Sequence, residues 1–295
     1  GDSWKEPGYS ASDNVDGDIT DKVTVTGEVD TKKPGTYQLT YQVSDGYNNT
    51  VKEIRKVTVK AKPVPQPPAS TQPQTPTQPQ NPSQSQPSGS NGKTIYLTFD
   101  DGPGKHTLRL LDILAKYNVK ATFFVCGSAN TSLLDEIAAG GHTLAIHSMT
   151  HNYSEIYSSE KAFYNDLYAM RDVISAKTGI SPVITRFPGG SSNTVSRFNE
   201  GIMTSLTSAV TDAGFQYFDW NVDSNDAGGA TTPETVYRNV TTGAAEHKVS
   251  VVLQHDIQAY SVEAVEEIIL WGLNNGYVFR ALDTSSPNAH HGIAN

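Results

Sequence analysis

The sequence predicts an α/β fold: a parallel, barrel-like sheet of about seven strands wrapped by helices, preceded by a small all-β unit. Three features predict it. From residue 94 onward, apolar runs near 95–99, 121–125, 143–147, 183–187, 216–222, 249–254 and 277–282 alternate with segments carrying helix start and stop signals. Residues 1–60 instead alternate apolar and polar side chains with a period of two. Residues 61–93 hold more than half of the chain's 16 prolines and no aromatic residue, so they can bury no core.

In the first unit, Tyr37, Leu39, Tyr41 and Val43 alternate with Gln38, Thr40, Gln42 and Ser44, which buries one face of a strand. Val23 and Val25 mark an earlier strand, and Ile54, Val57 and Val59 a later one. Pro34-Gly35 and Asp45-Gly46 supply turns. The spacing predicts a short antiparallel sandwich over 1–60. Asp13, Asp16 and Asp18 read as an acidic turn in preference to a calcium site. The 61–93 segment reads as an extended, solvated tether.

The third part, 94–295, carries the helices. Thr107 is placed to cap a helix with Leu108, Leu111 and Leu114 on its inner face. Ser132 precedes Leu133, Leu134 and Ile137, and Gly140-Gly141 stops that helix. Ser159 and Gly179 bound the longest one. Thr232-Pro233-Glu234 sets a cap, an N1 proline and a first-turn acid in order, and Ser261 opens a last helix that stops at Gly276.

Composition narrows the function. The net charge is −9, and residues 94–295 account for all of it, with 21 acidic against 12 basic residues. That surface disfavours nucleic acid and suits a neutral substrate. No apolar run is long enough to span a bilayer. The opening residues carry no signal-type segment, so any export signal is expected outside this chain. Cys126 is the single cysteine, which excludes an internal disulfide and a cysteine-based metal cluster. It reads as core, and His142 as structural.

The chemistry gathers at strand ends. Thr98-Phe99-Asp100-Asp101-Gly102-Pro103 delivers two carboxylates to the end of the first strand and stops at a tight turn. His147 and His151, four apart, are expected on one face of a helix or helical turn. One aspartate with both histidines makes a three-ligand set that leaves a divalent cation an open position for water. The other aspartate is then free to act as a base, a role His-x-x-x-His cannot fill without the glutamate of His-Glu-x-x-His. Three further strand ends follow: Thr185-Arg186-Phe187-Pro188-Gly189-Gly190, Asp219 to Asp226, and Val251 to Asp256.

In order and wording these five motifs resemble the polysaccharide deacetylase family with the NodB-type domain (carbohydrate esterase family 4), over roughly 94–283. The stretch Asp13 to Thr20, followed by Lys33-Pro34-Gly35-Thr36-Tyr37, resembles bacterial immunoglobulin-like cell-surface domains. The first resemblance implies a distorted (β/α) barrel and metal-dependent removal of acetyl from an N-acetylated sugar. It implies Asp101, His147 and His151 as ligands of one divalent metal, Asp100 as general base and Arg186 as the residue holding that base. His255 matches the general acid, Asp226 the carboxylate that tunes it, and Leu253 a wall of the acetate pocket. Asp219 and Asp223 remain competing partners for His255. Zinc is the first expectation for the metal, with cobalt, manganese or nickel suited to the same ligands.

Two departures bear on specificity. Where many members have Arg-x-Pro-Tyr, this chain has Gly189, which removes a side-chain wall but keeps a backbone N–H for an oxyanion. The tryptophan that usually follows the fourth-motif aspartate is Ala227. Trp220 is the candidate replacement surface, with a core role equally open. The expected protein is a monomeric, secreted or surface-attached N-deacetylase of a cell-wall glycan, first of all peptidoglycan N-acetylglucosamine. A chitin deacetylase, an O-acetyl esterase on acetylated xylan and a silent wall-binding module are the alternatives. His290-His291 reads as a feature of the terminal segment, with a tail folded over the cleft left open.

Overall fold

The computed structural model describes residues 6, 8–13, 17–33, 35–44, 50–59 and 92–295. Asp16, Pro34, the Asp45-Gly46 turn and the proline-rich segment up to residue 91 lie outside the described residues. The chain divides into two compact units, Gly1–Gln78 and Pro79–Asn295.

In the first unit, β1 (Ser12–Asp13) pairs with β2 (Gly17–Asp18). Strands β3 (Thr24–Thr26), β4 (Gly35–Ser44) and β5 (Thr50–Val59) form an antiparallel sheet in that order. The period-two pattern buries Leu39 and Tyr41 with Ile19 and leaves Gln38 and Gln42 exposed. Among the described residues this unit comprises one three-stranded sheet and the two-residue β1–β2 ladder.

The second unit contains β6 (Thr94–Asp100), α1 (Thr107–Lys116), β7 (Thr122–Cys126), α2 (Leu134–Ala139), β8 (Thr143–Ser148), α3 (Tyr153–Ile156) and α4 (Glu160–Thr178). It continues through β9 (Ile184–Thr185), α5 (Ile202–Asp212), β10 (Gln216–Tyr217), β11 (Val222–Asp223), α6 (Pro233–Ala245), β12 (Val249–His255), α7 (Ala259–Asn274) and β13 (Val278–Phe279). Seven strands run parallel in the order β10-β9-β8-β7-β6-β12-β11, and β13 pairs with the lower part of β6.

The run read as one strand over 216–222 is therefore two, at opposite ends of the sheet. Phe218 N–H still bonds to Thr185 of β9, whereas Asn221 N–H already bonds to Val251 of β12. Three residue steps span at most about 11 Å, so the two edges must curl towards each other. This makes the sheet a distorted (β/α) barrel.

Alternation along β6 shows its two faces. Ile95, Leu97 and Phe99 pack outward against α1 and α7 in the main core, with Leu110, Leu114, Val265 and Ile268. Tyr96 points inward with Phe124, Ala145, Ile184, Phe218, Val251 and Leu282, and Thr98 and Asp100 share its parity.

Two helices follow their sequence signals and three do not. Ser159 caps α4 by accepting from the Ala162 N–H, and Gly179 closes it in the left-handed conformation. Thr232 and Thr235 form a capping box on α6, with Pro233 at N1. In α1 the buried stripe is Thr107, Leu110, Ile113 and Leu114, while Leu108 is 51% exposed. Thr107 is not the cap; its hydroxyl is buried and donates to Asp256. Ser261 lies inside α7 and bonds to the Gln254 side chain. Helix α5 follows Gly201 with no side-chain cap, so no start signal marks it.

Candidate active site

Parallel register brings the motifs to one level. His255 is the strand partner of Asp100, Phe124 faces Asp100 on the other side, and Ile146 faces Thr185. The C-terminal ends of β6, β8, β9 and β12 thus present Asp100, His147, Arg186 and His255 together, where parallel α/β sheets collect their chemistry.

Asp101 follows the strand with φ 69°, an uncommon value for a residue with a Cβ. Gly102 is required next: a Cβ there would lie 2.0 Å from the Asp256 carboxylate. Burial raises the pKa of that carboxyl to about 6, against the hydrogen bond from Thr107.

The two histidines meet differently from the helical expectation. His147 sits on strand β8, and His151 is in the following turn with φ 54°. The turn is tied by hydrogen bonds that sequence spacing does not reveal. Ser148 Oγ accepts from the His151 N–H at 2.8 Å and donates to Asp166 Oδ2 at 2.7 Å. Asp166, on α4, also accepts from the Met149 N–H at 2.8 Å, and from the Thr150 N–H and hydroxyl at 2.9 and 3.1 Å. One carboxylate on a distant helix therefore shapes the whole histidine turn.

The side chains fit a cation. Asp101, His147 and His151 each offer a ligand atom within 4.8 Å of the others. Asp101 Oδ1 lies 3.5 Å from His147 Nε2 and 3.4 Å from His151 Nε2. Ligand atoms about 2.0–2.1 Å from a tetrahedral zinc ion stand about 3.3 Å apart, so little movement is needed. His147 Nδ1 donates to the Arg186 carbonyl at 2.9 Å, which leaves the Nε2 lone pair facing the carboxylate. Burial lowers the pKa of His147 despite Asp100 and Asp101, and the neutral ring is the form a metal takes. Asp166→Asn is expected to weaken zinc binding by about 10- to 100-fold, the usual cost of losing an outer partner. Competition with a chelator measures it, and an unchanged affinity contradicts the role of Asp166.

Arg186 is fully buried and every nitrogen is paired. Nη1 donates to Asp100 Oδ1 and to Thr98 Oγ1, each at 2.8 Å. Nε and Nη2 donate to the carbonyls of Phe218 and Asp219, at 2.9 and 2.8 Å. The guanidinium lies 4.0 Å from the Phe124 ring centre. Asp100 is thereby held with Oδ2 turned towards His147 Nε2, at 3.9 Å.

On the opposite side, His255 Nδ1 pairs with Asp226 Oδ1 at 2.7 Å, and its backbone N–H donates to Asp226 Oδ2 at 2.7 Å. Asp223 and Asp219 are elsewhere: Asp223 caps the Asn225 N–H, and Asp219 accepts from Ser191. Burial disfavours a charged His255, but the hydrogen bond and charge of Asp226, with Asp100 and Asp101, outweigh it. The pKa rises to about 9. Nε2 lies 3.9 Å from Asp101 Oδ2, facing the space above the trio.

The remaining sequence candidates surround this space unevenly. Gly189 is exposed with φ 76°, and among the described residues its N–H meets no protein acceptor. Leu253 is buried on β12, opposite Thr98. Trp220 is half-buried, beneath Gly190 and edge-on to His291. Tyr153 was not singled out by the sequence. Its ring lies edge-on to His151 at 5.1 Å, and its hydroxyl is 3.7 Å from where a Gly189 Cβ would be. Cys126 is buried, and burial with the nearby Asp101 and Asp100 charges pushes its thiol up, which makes it inert. Burial takes His142 down to about 4, so it stays neutral, bonded to the Ala121 N–H.

Comparison with known proteins agrees with this arrangement. Residues 88–201 match the polysaccharide deacetylase family and residues 1–59 the bacterial surface protein Ig-like domain. The first match spans the Asp100-Asp101, His147/His151 and Arg186 motifs. A peptidoglycan-N-acetylglucosamine deacetylase of Bacillus cereus is 36% identical over 244 residues, covering 79% of this chain and 86% of its own. The catalytic domain of a peptidoglycan N-acetylglucosamine deacetylase from Eubacterium rectale is 54% identical with a TM-score of 0.68, over 71% of this chain and 96% of its own. A carbohydrate esterase domain of a multidomain xylanase, from a Trinervitermes trinervoides hindgut metagenome, is 30% identical with a TM-score of 0.52, covering 65% of this chain and 88% of its own. With the barrel, the strand-end constellation and these relatives together, the chain belongs to the polysaccharide deacetylase family, carbohydrate esterase family 4, behind an N-terminal immunoglobulin-like domain.

Proposed function

We propose that this polysaccharide deacetylase is a metal-dependent N-deacetylase of peptidoglycan N-acetylglucosamine, working as a monomer outside the cell or at its surface. The observation that carries the reading is the Asp101–His147–His151 trio, with Asp100 on one side and His255 on the other. The relatives named for peptidoglycan N-acetylglucosamine support the substrate, and the Ig-like domain supports the location. No helix among the described residues is long and apolar enough to cross a membrane. We also retain the domain limits of 1–60, 61–93 and 94–295, with the middle segment as a tether.

Asp101, His147 and His151 would hold a divalent cation, zinc by its ligand set, which would supply a water of lowered pKa and polarise the acetyl carbonyl. Asp100 takes the water's proton while Arg186 fixes its orientation. The Gly189 N–H donates to the developing oxyanion. His255, charged through Asp226, passes the Nε2 proton to the departing sugar nitrogen. Leu253 closes the small apolar space that takes the acetyl methyl.

The proton donor gives a pH prediction. Activity needs protonated His255, so it falls as pH rises through that group's pKa. Asp226→Asn removes the charge that offsets burial, and the alkaline limb of kcat should move to lower pH. A limb that stays in place contradicts the pairing.

The test of function is release of acetate and of free amine from peptidoglycan, N-acetylglucosamine oligomers and acetylated xylan. Equal acetate and amine from peptidoglycan is the expected result. Acetate from xylan without amine from any glycan would instead assign an O-acetyl esterase.

A further inference from the structure

We propose that His291 is a positioning residue for the Gly189 loop, which makes the C-terminal segment part of how the active site is built. The inference rests on the reading of the Gly189 N–H as the oxyanion donor.

Gly189 and Gly190 are consecutive residues in the left-handed region, with φ 76° and 80°. A Gly-Gly pair loses more backbone freedom on ordering than any other, so the loop needs outside ties to present one N–H in one place. Upstream there are two: the buried Tyr157 hydroxyl donates to the Pro188 carbonyl at 2.7 Å, in the peptide unit that carries the Gly189 N–H, and the Gly190 N–H donates to the Phe187 carbonyl at 2.7 Å. Asn193 adds a bond from its own side chain to the Gly190 carbonyl. The remaining ties lead to the strand end at Asp219-Trp220 and to the C-terminal segment.

Ser191 donates to the Asp219 carboxylate from its N–H at 2.8 Å and its hydroxyl at 2.5 Å. The His291 N–H donates to the same fully buried carboxylate at 2.8 Å. The His291 ring then joins the two sides. Nε2 lies 2.7 Å from the Trp220 carbonyl, which can only accept, so Nε2 carries the hydrogen. Nδ1 is left as an acceptor for the Ser192 hydroxyl, at 3.0 Å. One neutral tautomer satisfies both bonds and bridges residue 192 to residue 220, three positions from the free N–H. Donors that are already aimed cost no reorganisation during reaction, and a misplacement of about 1 Å can cost about 100-fold.

The segment is docked by other contacts as well, which isolates the imidazole. His290 stacks on Tyr217 with ring centres 3.9 Å apart and bonds to its carbonyl at 3.0 Å. The Asn295 amide donates to the carbonyls of Ser196 and Asn199, each at 3.0 Å. Cutting back the His291 ring therefore leaves the segment in place and removes the bridge between Ser192 and Trp220 together with the edge contact on the Trp220 ring.

The test uses the whole chain and three variants. Acetate release from N-acetylglucosamine oligomers yields kcat and KM, a chelator competition yields zinc affinity, and hydrogen exchange reports the Ser191 and Ser192 amides. His291→Ala should lower kcat by about 10- to 100-fold, leave KM and zinc affinity within about threefold, and speed exchange at both amides. His291→Gln, whose amide can still donate to the Trp220 carbonyl, should recover much of the loss. His290→Ala should keep kcat within about twofold, because the His291 N–H and the Asn295 amide still hold the segment and the Ser192 bridge is untouched. A wild-type kcat in His291→Ala overturns the proposal, and so does an equal loss in His290→Ala. If the unaltered chain releases no acetate, the functional reading fails, and unchanged exchange in His291→Ala separately overturns the bridge.

Discussion

Asp100→Asn is expected to lower kcat by roughly 100- to 10,000-fold while leaving zinc affinity and fold nearly intact. The asparagine oxygen can still accept from Arg186 Nη1, so the buried guanidinium keeps its partner. The amide nitrogen that replaces Oδ2 cannot take a proton from water. Loss of kcat without loss of bound metal is the signature of a missing base. Steady-state rates on N-acetylglucosamine oligomers, with zinc content measured on the same sample, provide the check. Retained activity would move the base elsewhere.

His151→Ala should have the opposite signature. Of the three proposed ligands it is the best to remove, because among the described residues its imidazole has no other hydrogen-bonding duty, and its side chain is 27% exposed. His147, by contrast, also serves the Arg186 carbonyl, and its loss would leave that buried group unpaired. Binding energies of about 10–16 kcal/mol for four-ligand zinc sites imply a loss of roughly 70- to 900-fold in affinity per ligand. Activity at limiting zinc should fall with occupancy, and excess zinc should restore part of it. A variant that binds and works like the unaltered chain would exclude His151 as a ligand.

How much of this was legible in the sequence depends on what fixes each feature. Strand-end residues were, because parallel strands in register end at one level and bring their last side chains together. That is why Asp100, His147, Arg186 and His255 converge although they lie up to 155 positions apart. The Asp226 partner stood among three carboxylates on one stretch, and spacing alone could not choose between them. The backbone decides it: Asp226 accepts from both the ring and the N–H of His255.

Other features depend on contacts that no local pattern carries. His-x-x-x-His matches a helical period, yet its first member belongs to a strand and its second to a left-handed turn held by Asp166. The inner face of α1 shifts by one position because buried Thr107 bonds to Asp256, some 150 residues later. Helix α5 lacks a capping side chain, so nothing announces its start. The 216–222 run is apolar throughout except at Gln216, Asp219 and Asn221, which hides the crossing from one sheet edge to the other. His290 and His291 lie past the last motif, and their contacts with Tyr217, Asp219 and Trp220 exist only in the folded chain.

The most direct measurement is a zinc titration of the metal-stripped chain with acetate release followed on the same samples. Hydrolysis should be absent at the start, rise in proportion to filling of a single site, and level off at one zinc per chain. A stripped sample that already hydrolyses at its full rate would contradict the account, and so would a site that fills equally well after Asp101→Asn.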